Sequence, residues 1–122
     1  MKTIQELYEN VINASVQKKY ELIQKEGKFW RIRSLIDIPG IVKSGELGGL
    51  IESENNLSHK GKCWINYNAK VYDNAKVFDN AQIHDNAQIY ESADIFENAE
   101  IFDDSRIFNN AKICEYTKVF ND

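Results

Sequence analysis

Residues 69–122 read AKVYDN, AKVFDN, AQIHDN, AQIYES, ADIFEN, AEIFDD, SRIFNN, AKICEY and TKVFND, which are nine tandem hexapeptides without an insertion. The third position of every unit is Val or Ile, from Val71 to Val119. An imperfect tenth unit precedes them, with Cys63 at the first position and Ile65 at the third. A fixed internal period of this kind predicts a solenoid. The first position is small in each unit and is occupied by Ala69, Ala75, Ala81, Ala87, Ala93, Ala99, Ser105, Ala111 and Thr117.

A period of six fits a short strand followed by a sharp corner, and it fits neither a helix of 3.6 residues per turn nor a plain alternating strand. The small and aliphatic positions lie two residues apart, so we predict that both point to one face and fill the interior. The fifth and sixth positions are mostly Asp or Glu followed by Asn. Because Asn tolerates the left-handed backbone conformation, we predict the corner at this pair.

Three units would close one triangular coil of about 18 residues, with a rise of about 4.8 Å to the next coil. Nine units therefore give about three coils, in which every third unit stacks in register. The last repeat reaches the end of the sequence, so we expect its coil to leave a strand edge that a second subunit or a partner would cover. The three predicted internal ladders are Val71/Ile89/Ile107, Val77/Ile95/Ile113 and Ile83/Ile101/Val119.

The charge of the chain is unevenly distributed. The net charge is −4, but residues 1–62 hold ten Lys/Arg and eight Asp/Glu, whereas residues 63–122 hold five and eleven. We therefore expect the repeat region to repel a long nucleic acid. No run approaches the roughly 18 apolar residues of a membrane span, and the N-terminus lacks the apolar core of a secretory signal. We expect a cytoplasmic protein that does not bind membranes, in a bacterial host cell if a phage encodes it.

The two cysteines, Cys63 and Cys114, fall at different repeat positions, one predicted inward and one outward. We expect them to be free thiols in a reducing cytosol. With His59 and His84 they do not complete the ligand spacing of a zinc site, so no metal and no cofactor is expected. Carboxylates stacked at the corners could bind calcium, but we expect a solvated corner.

Three segments are predicted. Residues 1–19 hold an amphipathic helix, from about 4 to 17, that begins with the capping box Thr3-Ile4-Gln5-Glu6. Residues 20–62 form a β-hairpin and an irregular first coil that together cap the solenoid, and residues 63–122 form the repeat shaft. Within the cap, the glycine-rich stretch 45–49 is predicted to be a turn; the alternative is a set of backbone amides that face a ligand.

Four motifs lead into the repeats: WRIR at 30–33, VKSGELGG at 42–49, IESENNLS at 51–58 and CWI at 63–65. Together with the repeats, they resemble the hexapeptide-repeat family, and more closely a phage and bacterial subgroup often labelled acyltransferases. The resemblance runs from about residue 20 onward, and residues 2–19 look like an addition. It implies a mainly β fold, a single-stranded left-handed parallel β-helix carrying the N-terminal helix and hairpin cap. It also implies a homo-oligomer, with a trimer expected first and a dimer second.

The fourth position of the repeat should point outward, because its neighbour in the third position points inward. Stacked aromatic side chains would form three external ladders, more exposed aromatic surface than a soluble monomer usually shows. Our hypothesis is that at least one face is covered, by the N-terminal helix, in an oligomer or by a partner. The predicted interface residues are Tyr72, Phe78, His84, Tyr90, Phe96, Phe102, Phe108 and Phe120, and Cys114 completes the column.

The candidate ligand-binding residues are cations that would meet phosphates and an indole that could stack on a base. They are Arg31, Arg33, Lys43, Lys60, Lys62 and Trp64. The alternative is that Trp30 and Trp64 are core residues of the cap.

Three functions remain open. The first is a non-enzymatic oligomeric binding protein, an antagonist of host defence that sequesters a protein or a signalling nucleotide. The second is an acyltransferase using His84 or His59 as a base, although no loop interrupts the repeats to shape a pocket. The third is a structural module of phage assembly. We assign no catalytic residue.

Overall fold

The structure, a computed structural model, describes residues 17–121. This part of the chain is built from thirteen β-strands and one short 3-10 helix, Glu54–Asn56. The predicted N-terminal helix over residues 4–17 falls outside the described residues, except for its last position. No helix in the described region is long and apolar enough to cross a membrane.

A hairpin precedes the repeats. Strands β1 (Tyr20–Glu26) and β2 (Phe29–Ser34) are antiparallel, and β2 also pairs with β3 (Leu47–Ile51). The two-residue turn between β1 and β2 contains Gly27 at a φ of 66°, which glycine adopts without steric cost. Residues 20–34 therefore form an antiparallel β-hairpin.

Ten two-residue strands follow, one for each hexapeptide unit. They are β4 (Trp64–Ile65), β5 (Lys70–Val71), β6 (Lys76–Val77), β7 (Gln82–Ile83), β8 (Gln88–Ile89), β9 (Asp94–Ile95), β10 (Glu100–Ile101), β11 (Arg106–Ile107), β12 (Lys112–Ile113) and β13 (Lys118–Val119).

These strands stack in parallel into a solenoid of about four turns. The six-stranded sheet has the order β1-β2-β3-β5-β8-β11, the four-stranded sheet β13-β10-β7-β4, and the three-stranded sheet β12-β9-β6. Each repeat strand pairs with the strand 18 residues further along, so that Val71 lies beside Ile89 and Ile89 beside Ile107. The other two predicted internal ladders are in the same register and are confirmed.

The first coil continues this register in a stretch whose sequence does not repeat. Ile51 pairs with Val71, Leu57 with Val77, and Ile65 with Ile83. Leu57 and Ile65 are eight residues apart rather than six, so the loop 58–62 holds two additional residues. The buried amide of Asn56 serves one corner of this coil: its Oδ1 accepts the amides of residues 52 and 53, and its Nδ2 donates to the carbonyls of residues 73 and 75.

The interior is filled by the first and third columns, as predicted. From Ala69 to Ile101 every one of these side chains is fully or almost fully buried. Burying a Val or Ile side chain contributes roughly 1.5–3 kcal/mol, so the ladders are the main source of stability. In the last coil the third-column residues Ile113 and Val119 are only half-buried.

The corners differ from the prediction in one respect. The left-handed conformation falls on the fifth column, at φ between 53° and 60°, and not on the Asn of the sixth. At three of these eight positions a hydrogen bond between coils supports the conformation: the carboxylate of Asp73 accepts the amide of Glu91 at 3.0 Å, and Asp79 and Asp85 accept the amides of Glu97 and Asp103 in the same way. This bond offsets part of the cost of a positive φ.

The glycine-rich stretch 45–49 is a turn only at its start, where Gly45 has a φ of 92°. The rest of the predicted turn is wrong, because Gly48 and Gly49 lie inside β3 and are buried. A Cβ on Gly48 would come within 2.6 Å of the Trp64 ring, and one on Gly49 would collide with Ile65 and with backbone carbonyls. The glycines therefore let the core of the first coil approach the strand closely.

Candidate functional site

Two of the candidate ligand-binding residues are buried. Trp64 is 2% exposed and lies against Gly48 in the core, as the alternative interpretation anticipated. Arg31 is 6% exposed. Its guanidinium donates to the carbonyls of Gly48 at 3.1 Å and Tyr67 at 2.5 Å and forms an ion pair with Glu26. These contacts hold β2 and β3 against the first coil. Neither Arg31 nor Trp64 is open to solvent.

The other four candidate cations are exposed and lie on three separate segments. Arg33, on β2, is bound to Glu21 of β1. Lys43 lines a hollow of about 400 Å³ formed by the loop 37–46. Lys60 and Lys62 lie in the loop 58–62. Only Arg31 and Trp64 are brought together, around Gly48.

The predicted external ladders are present. On the six-stranded sheet Tyr72 stacks on Tyr90 at 5.2 Å between ring centroids, and Tyr90 stacks on Phe108 at 5.4 Å. On the three-stranded sheet Phe78 stacks on Phe96 at 5.0 Å. On the four-stranded sheet His84 stacks on Phe102 at 4.5 Å and Phe102 on Phe120 at 4.6 Å. Whether a helix, a second subunit or a partner covers any ladder stays a prediction.

The second column of the repeat separates the three sheets by charge. The six-stranded sheet carries Lys70, Gln88 and Arg106. The three-stranded sheet carries Lys76, Asp94 and Lys112, with the last two joined at 2.7 Å. The four-stranded sheet carries Gln82, Glu100 and Lys118, with the last two joined at 3.6 Å.

The six-stranded sheet carries two second-column cations that form no ion pair within residues 17–121, Lys70 and Arg106, whereas the three-stranded sheet carries one, Lys76. Lys28, in the hairpin turn, lies 4.8 Å from the centroid of Tyr72 and 3.9 Å from a carboxylate oxygen of Asp73. Phe29 packs edge-on against Tyr72 at 5.4 Å. We define the aromatic–basic face as the outward side chains of Lys28, Phe29, Lys70, Tyr72, Tyr90, Arg106 and Phe108.

The repeat region thus carries most of its acidic residues at the corners, with Asp94 and Glu100 on the other two sheets and no second-column acid on this face. The predicted repulsion of long nucleic acids followed from the total charge of residues 63–122, which does not distinguish sheets from corners. The sequence does contain this charge distribution. In units 1, 4 and 7, which stack on one sheet, the second position is Lys70, Gln88 and Arg106, which are two cations and a neutral residue.

Both histidines are already engaged by neighbours. The Nε2 of His84 lies 3.3 Å from Glu100, and its Nδ1 lies 3.0 Å from the amide nitrogen of Asn66. A carboxylate can only accept, so Nε2 carries the proton and Nδ1 accepts from the amide. His59 is held likewise, with Nδ1 accepting the amide of Lys19 at 3.1 Å and Nε2 donating to Glu54 at 2.8 Å. Neither ring offers a free lone pair to a substrate.

The hydrogen bond from His59 lowers the pKa of the Glu54 carboxyl, and burial acts in the opposite direction.

At the corners, the fifth-column carboxylates of Asp73, Asp79 and Asp85 each accept a backbone amide from the next coil. Across residues 17–121 no group of three or more His, Cys, Asp or Glu side chains is arranged to hold a metal ion.

Comparison of the chain with protein-family models and with curated proteins gave no match. The resemblance to the hexapeptide-repeat family therefore stays an expectation that rests on the sequence motifs alone.

Proposed function

We propose that this protein is a non-enzymatic binding module whose aromatic–basic face captures an acidic protein surface. The observation that carries the proposal is the combination of Lys70 and Arg106, without carboxylate partners in residues 17–121, with a continuous aromatic ladder on one flat sheet. Interfaces are rich in Tyr, Phe and Arg, and complementary charge steers the partner to them.

The orientation of the rings favours a protein partner over a nucleotide. Tyr72, Tyr90 and Phe108 stack along the solenoid axis with interplanar angles of 9° and 13°. The stacked faces are therefore turned toward one another and the edges point outward, and only Phe108, the last ring of the ladder, has one face without an aromatic neighbour among residues 17–121. Ring edges carry partial positive charge, which suits carboxylates, whereas a nucleobase would need an open ring face.

The acyltransferase alternative is less well supported. A general base needs a nitrogen lone pair within hydrogen-bond reach of its substrate. In His84 and His59 both ring nitrogens are already used, by Asn66 and Glu100 in the first and by Lys19 and Glu54 in the second.

The biological setting is the part of the proposal that rests on the family resemblance. In that setting the protein is a left-handed, trimeric β-helix encoded by a phage, it acts in the bacterial cytoplasm, and the acidic surface belongs to a host defence protein. Sequestration of a signalling nucleotide and a role in phage assembly are the competing outcomes.

A matched pair of charge reversals tests the proposal. The first two repeats, AKVYDN and AKVFDN, place Lys70 and Lys76 at equivalent positions on two different sheets. We expect Lys70→Glu to weaken binding of polyglutamate, a probe for acidic protein surfaces, by about tenfold or more, because it reverses a cation within the face. Lys76→Glu makes the same change in net charge on the three-stranded sheet, and we expect it to change affinity by less than about twofold.

Affinities measured by fluorescence anisotropy at two salt concentrations decide the outcome. Equal losses in both variants would show that only total charge matters and would overturn the proposal. Binding of mononucleotides that Lys70→Glu abolishes, with no binding of polyglutamate, would replace it with the nucleotide alternative.

A further inference from the structure

A buried lysine lies against a buried cysteine at the start of the solenoid. Lys19, immediately before β1, is 1% exposed, and Cys63 is 0% exposed. The Lys19 Nζ is 3.1 Å from the Cys63 Sγ, and it also donates to the Cys63 carbonyl at 2.6 Å. Within the described chain no carboxylate pairs with this lysine. A lysine is rarely buried without a carboxylate partner.

The loop 58–62 lies directly against the pair. The Sγ of Cys63 lies 3.4 Å from the Ser58 carbonyl and 3.7 Å from the Lys60 carbonyl. These carbonyls belong to the loop 58–62, whose residues 60–62 are exposed. A small uncharged oxidant therefore needs only a local opening of this loop to reach the sulfur.

The surroundings favour a nucleophilic nitrogen. Burial lowers the pKa of Lys19, with Cys63 acting in the opposite direction, so the amine loses its proton more easily than it would in water. Burial raises the pKa of the Cys63 thiol, while the Lys19 charge and hydrogen bond favour its thiolate.

We propose that Lys19 and Cys63 form an oxidative modification site, in which peroxide joins the Lys19 Nζ to the Cys63 Sγ through a covalent sulfur–nitrogen bond. First, peroxide transfers one oxygen to the thiol, giving a sulfenic acid and one water. Next, the amine lone pair attacks the sulfur, the S–O bond breaks, and the hydroxyl leaves with an amine proton as a second water. The sulfur is oxidised, the O–O bond of peroxide is reduced, and the protein loses two hydrogens in total.

The crosslink would tie together parts of the chain separated by 44 residues. It fixes the residue that precedes the hairpin to the first small-column residue of the solenoid. A crosslink that closes such a segment restricts the unfolded chain, so we expect the midpoint of thermal unfolding to rise by about 10 °C or more. An added dithiol returns the two hydrogens, is itself oxidised to a disulfide, and reverses the change.

The experiment uses the full chain carrying Cys114→Ser, so that Cys63 is the only thiol. After treatment with hydrogen peroxide, we expect the intact mass to fall by two hydrogens and a dithiol to restore it. Trypsin should no longer cleave after residue 19, and tandem mass spectrometry should find residues 19 and 63 in one linked species.

Two variants are the controls. Lys19→Arg keeps a cation but removes the primary amine, and Cys63→Ser removes the sulfur, so neither should lose two hydrogens. Circular dichroism of both variants, compared with that of the untreated Cys114→Ser protein, checks that their fold is intact. The proposal is overturned if peroxide adds only oxygen to Cys63 without a link, or if Cys63 stays unmodified at concentrations that oxidise an unfolded sample.

Discussion

At the scale of the residue, the first column of the repeat shows that the interior favours small, apolar side chains. Six alanines, from Ala69 to Ala99, are completely buried in this column. Ser105 occupies the same position in the seventh repeat, and its hydroxyl is buried without a hydrogen-bond partner among residues 17–121. An unsatisfied buried hydroxyl costs about 1–3 kcal/mol, which a methyl group at that position avoids.

We therefore expect Ser105→Ala to raise the free energy of unfolding by about 1 kcal/mol in a urea titration. Thr117→Ala is the matched control, because Thr117 is exposed in the same column, and it should change stability by less than about 0.5 kcal/mol. A loss of stability in Ser105→Ala would show that the hydroxyl has a partner in the folded protein.

Residues 48 and 61 mark the limit of prediction at this scale. Gly48 lies inside a strand because Trp64 occupies the space of its side chain, and a Cβ on Gly61 would collide with the carbonyl of Asp79. Both contacts join segments that are distant in sequence. Local propensity predicted a turn over residues 45–49 and could not show that Trp64 approaches Gly48 or that the Asp79 carbonyl approaches Gly61.

At the scale of the element, the repeat predicted the strands well. The separation of two residues between the small and aliphatic columns predicted which side chains are buried, and three hexapeptides per coil predicted the 18-residue register that the paired strands show. The place of Ile65 in this register was predicted from the imperfect tenth unit, but its continuation by Ile51 and Leu57 was not, because the first coil contains two additional residues that break the period. The Lys19–Cys63 contact was missed for the same reason, since it depends on how that loop closes.

The ladder on the three-stranded sheet is our candidate for self-association. Phe78 and Phe96 stack at 5.0 Å beside the Asp94–Lys112 ion pair, so this face combines apolar area with a single second-column cation, Lys76, that forms no ion pair within residues 17–121. We expect Phe96→Ser to shift the protein toward monomer in native mass spectrometry, because it removes the centre of the apolar patch. Lys76→Ser, on the same sheet but outside the ladder, should leave the assembly unchanged; an unaltered assembly in Phe96→Ser would refute the assignment.

At the scale of the whole molecule, each of the three flat sheets presents a different chemistry. The six-stranded sheet carries two second-column cations without ion-pair partners in the described chain, the three-stranded sheet carries an aromatic ladder and one such cation, and the four-stranded sheet carries an engaged His84 beside Glu100. The total charge of the sequence did not reveal this arrangement, because it sums corners and faces. Only the assignment of every third repeat to one sheet separates them.

The most direct test of the central claim is an NMR titration of the protein with polyglutamate. If the aromatic–basic face binds acidic surfaces, the side-chain resonances of Lys70, Tyr72 and Arg106 should shift together, and those of Lys76 and Phe78 should not. Shifts confined to the three-stranded sheet, or spread evenly over all lysines, would contradict the account.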